Sequence, residues 1–160
     1  MLALLGVIVS ADTFCFQTSL YPTPGMPGAA GSGTAKVILD TVADTIVSTV
    51  SFSGLSGDTT EAHIHGPTAV AFVTPGNVIV NYAPSLKLGV KADSFTQQDT
   101  IPTGLQDALT AGKAYVNIHT STFLEGEILG FFTPCPTTTS FTAAISSRQG
   151  TLRKVNAESS

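Results

Sequence analysis

Lys36-Val37-Ile38-Leu39-Asp40-Thr41-Val42, then Ala43-Asp44, then Thr45-Ile46-Val47-Ser48-Thr49-Val50-Ser51-Phe52-Ser53 read in that order as strand, tight turn and strand. Apolar and polar residues alternate with period two and β-branched side chains dominate, which together predict a β-hairpin. The same rhythm returns in residues 61–65, 77–82, 87–92, 114–119 and 127–132, each of strand length and each bounded by Gly, Pro, Asn or Ser. Residues 103–112 depart from it. They offer Thr103 as an N-cap, Leu105, Ala108 and Leu109 at helical spacing, and Gly112 at the end, so a short helix is expected near 103–111. Crossover helices between the strands are missing. The pattern therefore predicts an all-β fold, an antiparallel β-sandwich of about eight strands with Greek-key-like connections.

Working outward from that body, residues 12–33 read as a Pro/Gly-rich arm, because three prolines and four glycines between Tyr21 and Thr34 oppose both helix and ladder. The sandwich is expected over 34–135. Residues 136–160 read as a Thr-rich segment and a polar tail, with one further strand expected at 141–145. Residues 1–11 have two readings: the remnant of a secretory signal ending in Val9-Ser10-Ala11, or a retained N-terminal strand in which Leu5, Val7 and Val9 alternate with smaller residues. The longest unbroken apolar stretch, residues 1–9, is well short of the roughly 20 residues that span a bilayer, so no transmembrane segment is expected.

In a chain of 160 residues, 42% are hydrophobic and 11% charged, the reverse of a disordered composition. The net charge of −4, with no basic cluster in the body, argues against nucleic acid as a partner. Two cysteines, Cys15 and Cys135, stand near the two ends of the body in no redox or zinc-knuckle spacing. They suggest a disulfide and with it an oxidising, extracellular compartment; two free buried thiols are the alternative.

All three histidines of the chain, His63, His65 and His119, fall in strand patterns. His63 and His65 are two apart, so on a strand they share a face with Cα atoms about 6.5 Å apart. His119 lies in a second strand, expected to run near-parallel beside the first and to bring its imidazole within reach of the same point. Three neutral imidazoles with an open position suit copper(II) or zinc. No fourth ligand is evident. Glu61, Glu125 and Glu127 are the candidate acids, and Glu61, Asn117 and Glu127 are expected to orient the imidazoles from behind. The alternative is that the three histidines donate hydrogen bonds to loop carbonyls and hold no metal.

At these residues the chain resembles a known family. Ala62-His63-Ile64-His65-Gly66-Pro67, the helix-like segment ending at Gly112, Ala114-Tyr115-Val116-Asn117-Ile118-His119-Thr120 and Gly126-Glu127-Ile128-Leu129-Gly130 are similar to the CHRD domain, named from chordin, over residues 34–133. The resemblance implies a secreted domain. Growth-factor antagonism is not implied, because the cysteine-rich modules that accompany these domains in chordins are missing here. The family commonly carries a basic residue where Leu129 stands, which weakens any role needing a cation there. A looser likeness links the His-x-His strand to the copper half of Cu,Zn superoxide dismutases. Those enzymes place an arginine by the copper, whereas the arginines here are Arg148 and Arg153 in the tail.

No Gly-x-Ser-x-Gly nucleophile and no phosphate-cradling glycine loop is present, and no catalytic residue is assigned. The expected function is an extracellular binding module, non-enzymatic, with a copper or zinc site on His63, His65 and His119. Two alternatives stand beside it. One is a structural subunit that self-associates by β-augmentation through the apolar N-terminal strand; the other is a superoxide-dismutase-like copper enzyme. The loop after Gly66-Pro67, apolar around Phe72, is a candidate surface for an extracellular protein partner.

Overall fold

The computed structural model describes residues 13–136. The hairpin forms as its alternation requires: β2 (Ser32–Asp40) and β3 (Thr45–Ser53) pair antiparallel from Ser32 opposite Ser53 to Asp40 opposite Thr45. Ala35, Val37 and Leu39 on one strand and Ile46, Val50 and Phe52 on the other turn inward and are buried. Asp40 Oδ1 accepts hydrogen bonds from the amides of Val42 and Ala43, closing the turn. Asp44 follows in the left-handed region at φ 55°, a conformation a small polar residue tolerates.

The other elements are β1 (Thr13–Pro22), β4 (Thr59–His65), β5 (Val78–Asn81), β6 (Asp93–Thr100), α1 (Leu105–Thr110), β7 (Tyr115–Thr120), β8 (Ile128–Phe131) and the two-residue β9 (Thr133–Pro134). They form one curled antiparallel sheet in the order β5-β4-β7-β8-β1-β2-β3-β6, with β9 on β1. The shape is between a sandwich and a half-barrel, and the expected all-β class holds. β1 is the join: Thr13 to Leu20 pair with β2, while Tyr21 and Pro22 pair with Leu129 and Ile128 of β8. At the two open edges Gln97 Nε2 of β6 donates to the Asn81 carbonyl of β5, 2.9 Å away. Inside the curl, Phe16, Leu20, Ile64, Tyr82, Leu105, Leu109, Val116, Ile118 and Phe132 join the hairpin's apolar residues in one core. Among the described residues no helix is long and apolar enough to cross a membrane.

Four sequence expectations are corrected. The first strand runs through much of the supposed arm over 12–33, because Phe16 and Leu20 supply a buried face and the ladder tolerates Pro22 at the strand's end. Residues 87–92 are not a strand. They wrap Thr59, whose Oγ1 donates to the Lys87 carbonyl and accepts from the Val90 amide. A strand stands at Asp93–Thr100, where only Phe95 and Gln97 turn inward and the apolar signal is thin. Finally, Gly104 at φ 81° occupies the N-cap of α1, not Thr103, and no side chain caps the helix. The strand expected at 141–145 and the readings of residues 1–11 lie outside the described residues.

At Gly130 of β8 an added Cβ would collide with the Ser19 carbonyl oxygen of β1. Gly130→Ala is therefore expected to lower stability by about 1–3 kcal/mol, measured by urea denaturation. A loss below about 0.5 kcal/mol would show that the β1–β8 seam yields to a methyl group.

Candidate metal centre

Ala62 and Ile64 of β4 and Val116 and Ile118 of β7 enter the core. Alternation then turns Glu61, His63 and His65, and Tyr115, Asn117 and His119, to the opposite, outer face. β4 and β7 are antiparallel, not near-parallel, so His63 lies opposite Asn117, His65 opposite Tyr115 and Glu61 opposite His119. His119 thus meets His63 on the diagonal, a spacing that long side chains bridge.

The three imidazoles converge, each offering a ring nitrogen within 4.8 Å of the others. His63 Nδ1 and His119 Nε2 are 3.2 Å apart. Two nitrogens bound to one zinc at the usual length and a tetrahedral angle would be about 3.3 Å apart, so this pair already stands at a ligand–ligand spacing. His63 and His119 are 7% and 9% exposed, while His65 is half-buried, which leaves the cluster just beneath the surface.

Backbone carbonyls orient two of the rings. His119 Nδ1 donates to the Leu124 carbonyl at 2.7 Å, and His65 Nδ1 to the Gly76 carbonyl at 2.9 Å. In neutral imidazoles these bonds fix the tautomer and leave Nε2 with its lone pair. Burial, then repulsion from His119 and His65, holds His63 below the ordinary imidazole pKa against the pull of Glu61; burial lowers His65 as well. Both are neutral at pH 7 and able to ligate.

The expected orienting residues divide. Asn117 Oδ1 lies 3.1 Å from His65 Nε2, and Glu61 Oε2 lies 3.9 Å from His63 Nε2 at the exposed rim. Glu125 is exposed in the turn between β7 and β8. Glu127 does not serve the histidines. Its Oε1 accepts from the Ala30 amide and from the amide and hydroxyl of Ser56, and its Oε2 from the Gly57 amide and the Thr120 hydroxyl. Its side chain is wholly buried, and with both oxygens occupied by these donors it ties the loops at Ala30 and Ser56-Gly57 to β7.

Sequence reasoning missed the two carbonyls, since any residue supplies a C=O. It also missed a row of rings across the outer face. His65 stacks on Tyr115 at 4.9 Å and 6°, Tyr115 meets Phe131 at 5.1 Å, and Phe131 meets Phe72 at 5.8 Å. Phe72 is 57% exposed and its amide bonds to the Gly112 carbonyl, which pins the apolar loop over β7 and β8. Cys15 and Cys135 form the expected disulfide, joining the start of β1 to the end of β9.

No curated protein and no solved structure matches the chain. The family model of the CHRD domain matches residues 16–132, beginning inside β1 and ending just after β8. Sequence resemblance placed the start at residue 34, one strand too late. The match spans well over half of the sequence and both histidine strands, and the protein belongs to the CHRD domain family.

Proposed function

We propose that this CHRD domain is an extracellular, non-enzymatic binding module centred on one copper or zinc ion held by His63, His65 and His119. The observation that carries the reading is the convergence of three imidazole nitrogens, two of them on rings whose Nδ1–H is already committed to a backbone carbonyl. In the metal-free chain His63 Nδ1 donates to His119 Nε2, and that bond alone does not require His65 to join the pair. The disulfide fits an oxidising compartment, and CHRD domains occur in extracellular proteins. The acidic Glu61 at the rim would repel an anionic substrate such as superoxide, which favours binding over dismutation. The exposed Val70, Phe72 and Val73, in the loop whose Phe72 ends the row of rings that starts at His65, suit contact with an extracellular protein.

Protein purified from its native source without chelator is expected to carry about one copper or zinc per chain, and the His63→Ala/His65→Ala variant almost none. Elemental analysis reads this directly. A metal-free wild type that also takes up neither ion on reconstitution would return the histidines to a hydrogen-bonding role.

A further inference from the structure

His65 stands between two oxygens. Its Nδ1 is 2.9 Å from the Gly76 carbonyl and its Nε2 is 3.1 Å from Asn117 Oδ1. A neutral imidazole has one N–H, and the Gly76 carbonyl, which can only accept, takes it at Nδ1. The Nε2 lone pair then faces the lone pairs of an amide oxygen. Two acceptors at that distance repel each other, and the clash is relieved either by turning the amide over or by a cation between them; two donor atoms sharing one ion near a right angle are separated by about 3 Å.

The amide is placed for this. Asn117 is 3% exposed, directly opposite His63 in the β4–β7 ladder, on the same face as all three imidazoles. Gly126 makes room for it, because a Cβ there would stand 2.8 Å from Asn117 Nδ2. The nearby carboxylates are placed elsewhere: Glu127 is held by five donors, and Glu61 approaches His63 from the ring's other nitrogen.

We propose that Asn117 Oδ1 is the fourth ligand of the centre formed by His63, His65 and His119, and that in the metal-free chain the amide turns over so that Nδ2 donates to His65 Nε2. The inference rests on the three-histidine reading. It makes the donor set three imidazole nitrogens and one hard oxygen, all neutral, a set that suits a divalent ion better than cuprous copper.

The test compares the full-length wild type with Asn117→Ala and Asn117→Asp, using Cu(II) and Zn(II) as probes. Asn117→Ala is expected to weaken Cu(II) binding by about 10- to 100-fold and to change the g and hyperfine values of its EPR spectrum, with Asn117→Asp restoring tight binding through a carboxylate oxygen. An alanine variant with wild-type affinity and an unchanged spectrum would overturn the role of Asn117 and leave the three-histidine centre standing. A wild type that binds neither ion would remove the centre and this inference with it. Should the alanine variant not fold, NMR of the wild type decides the matter. A coupling across the hydrogen bond between Asn117 Nδ2 and His65 Nε2 is expected in the metal-free chain and should vanish on adding Zn(II). Its persistence with Zn(II) bound would overturn the proposal.

Discussion

Glu127→Gln is expected to lower the stability of the domain by about 3–5 kcal/mol at pH 7, a large fraction of what a domain of this size possesses. The carboxylate is fully buried and accepts from five donors contributed by three separate stretches of chain: Ala30, then Ser56 and Gly57, then Thr120. An amide replaces one acceptor with a donor. It sets an NH2 against N–H and O–H groups, and each buried donor left unpaired costs about 1–3 kcal/mol.

The same network sets a pH dependence. Burial by itself would raise the pKa of Glu127, but the Ser56 hydroxyl and amide, the Thr120 hydroxyl and the Ala30 amide outweigh it and lower the pKa from 4.5 to about 2. A depressed carboxylate contributes stability that is fully present above its unfolded pKa and is lost as pH falls towards the folded one. Wild type should therefore lose about 3 kcal/mol between pH 5 and pH 2 through this group, and the glutamine variant should lack that component. Urea denaturation at a series of pH values measures both. Matching pH profiles for the two proteins would remove Glu127 from the account of acid sensitivity.

The second large effect belongs to the disulfide. Replacing Cys15 and Cys135 together with serine is expected to destabilise the domain by about 4–5 kcal/mol, the chain-entropy value for a loop of this length; measured losses of native bridges run from about 2 to 5. The bridge spans a sequence separation of 120 residues and joins strands that already meet, the Cys135 amide donating to the Cys15 carbonyl at 2.9 Å. Denaturation of the double variant, compared with wild type with and without reductant, checks it. A loss below about 1 kcal/mol would mean that the β1–β9 pairing holds the ends together unaided.

The parts of the molecule legible in its sequence are those whose information is local. The β2–β3 hairpin was legible because period-two alternation and a tight turn lie side by side, and the His63–His65 pair because spacing on a strand fixes a face. β6 was not, since Phe95 and Gln97 give too weak an apolar stripe. The strand over Thr13–Pro22 was hidden because the prolines and glycines that follow it dominate the composition of the segment. Glu127 looked like a partner for a histidine, but its own partners are 7 to 97 residues away in sequence and only the folded chain brings them together. The carbonyls of Gly76 and Leu124 leave no mark in a sequence at all.

The central position of β1 bears on how the chain can be made. Along one side it pairs with β2, the next strand to be synthesised, but along the other it waits for β8 and β9, more than 100 residues later. Until those arrive the sheet has a gap in its middle, and the two halves of the ladder cannot close over a shared interior. Contacts of such long range make folding slow and late. A nascent chain of this topology stays unlocked until nearly the whole domain has emerged, and Cys135, the residue that follows β9, then clasps the start of the described body to its end.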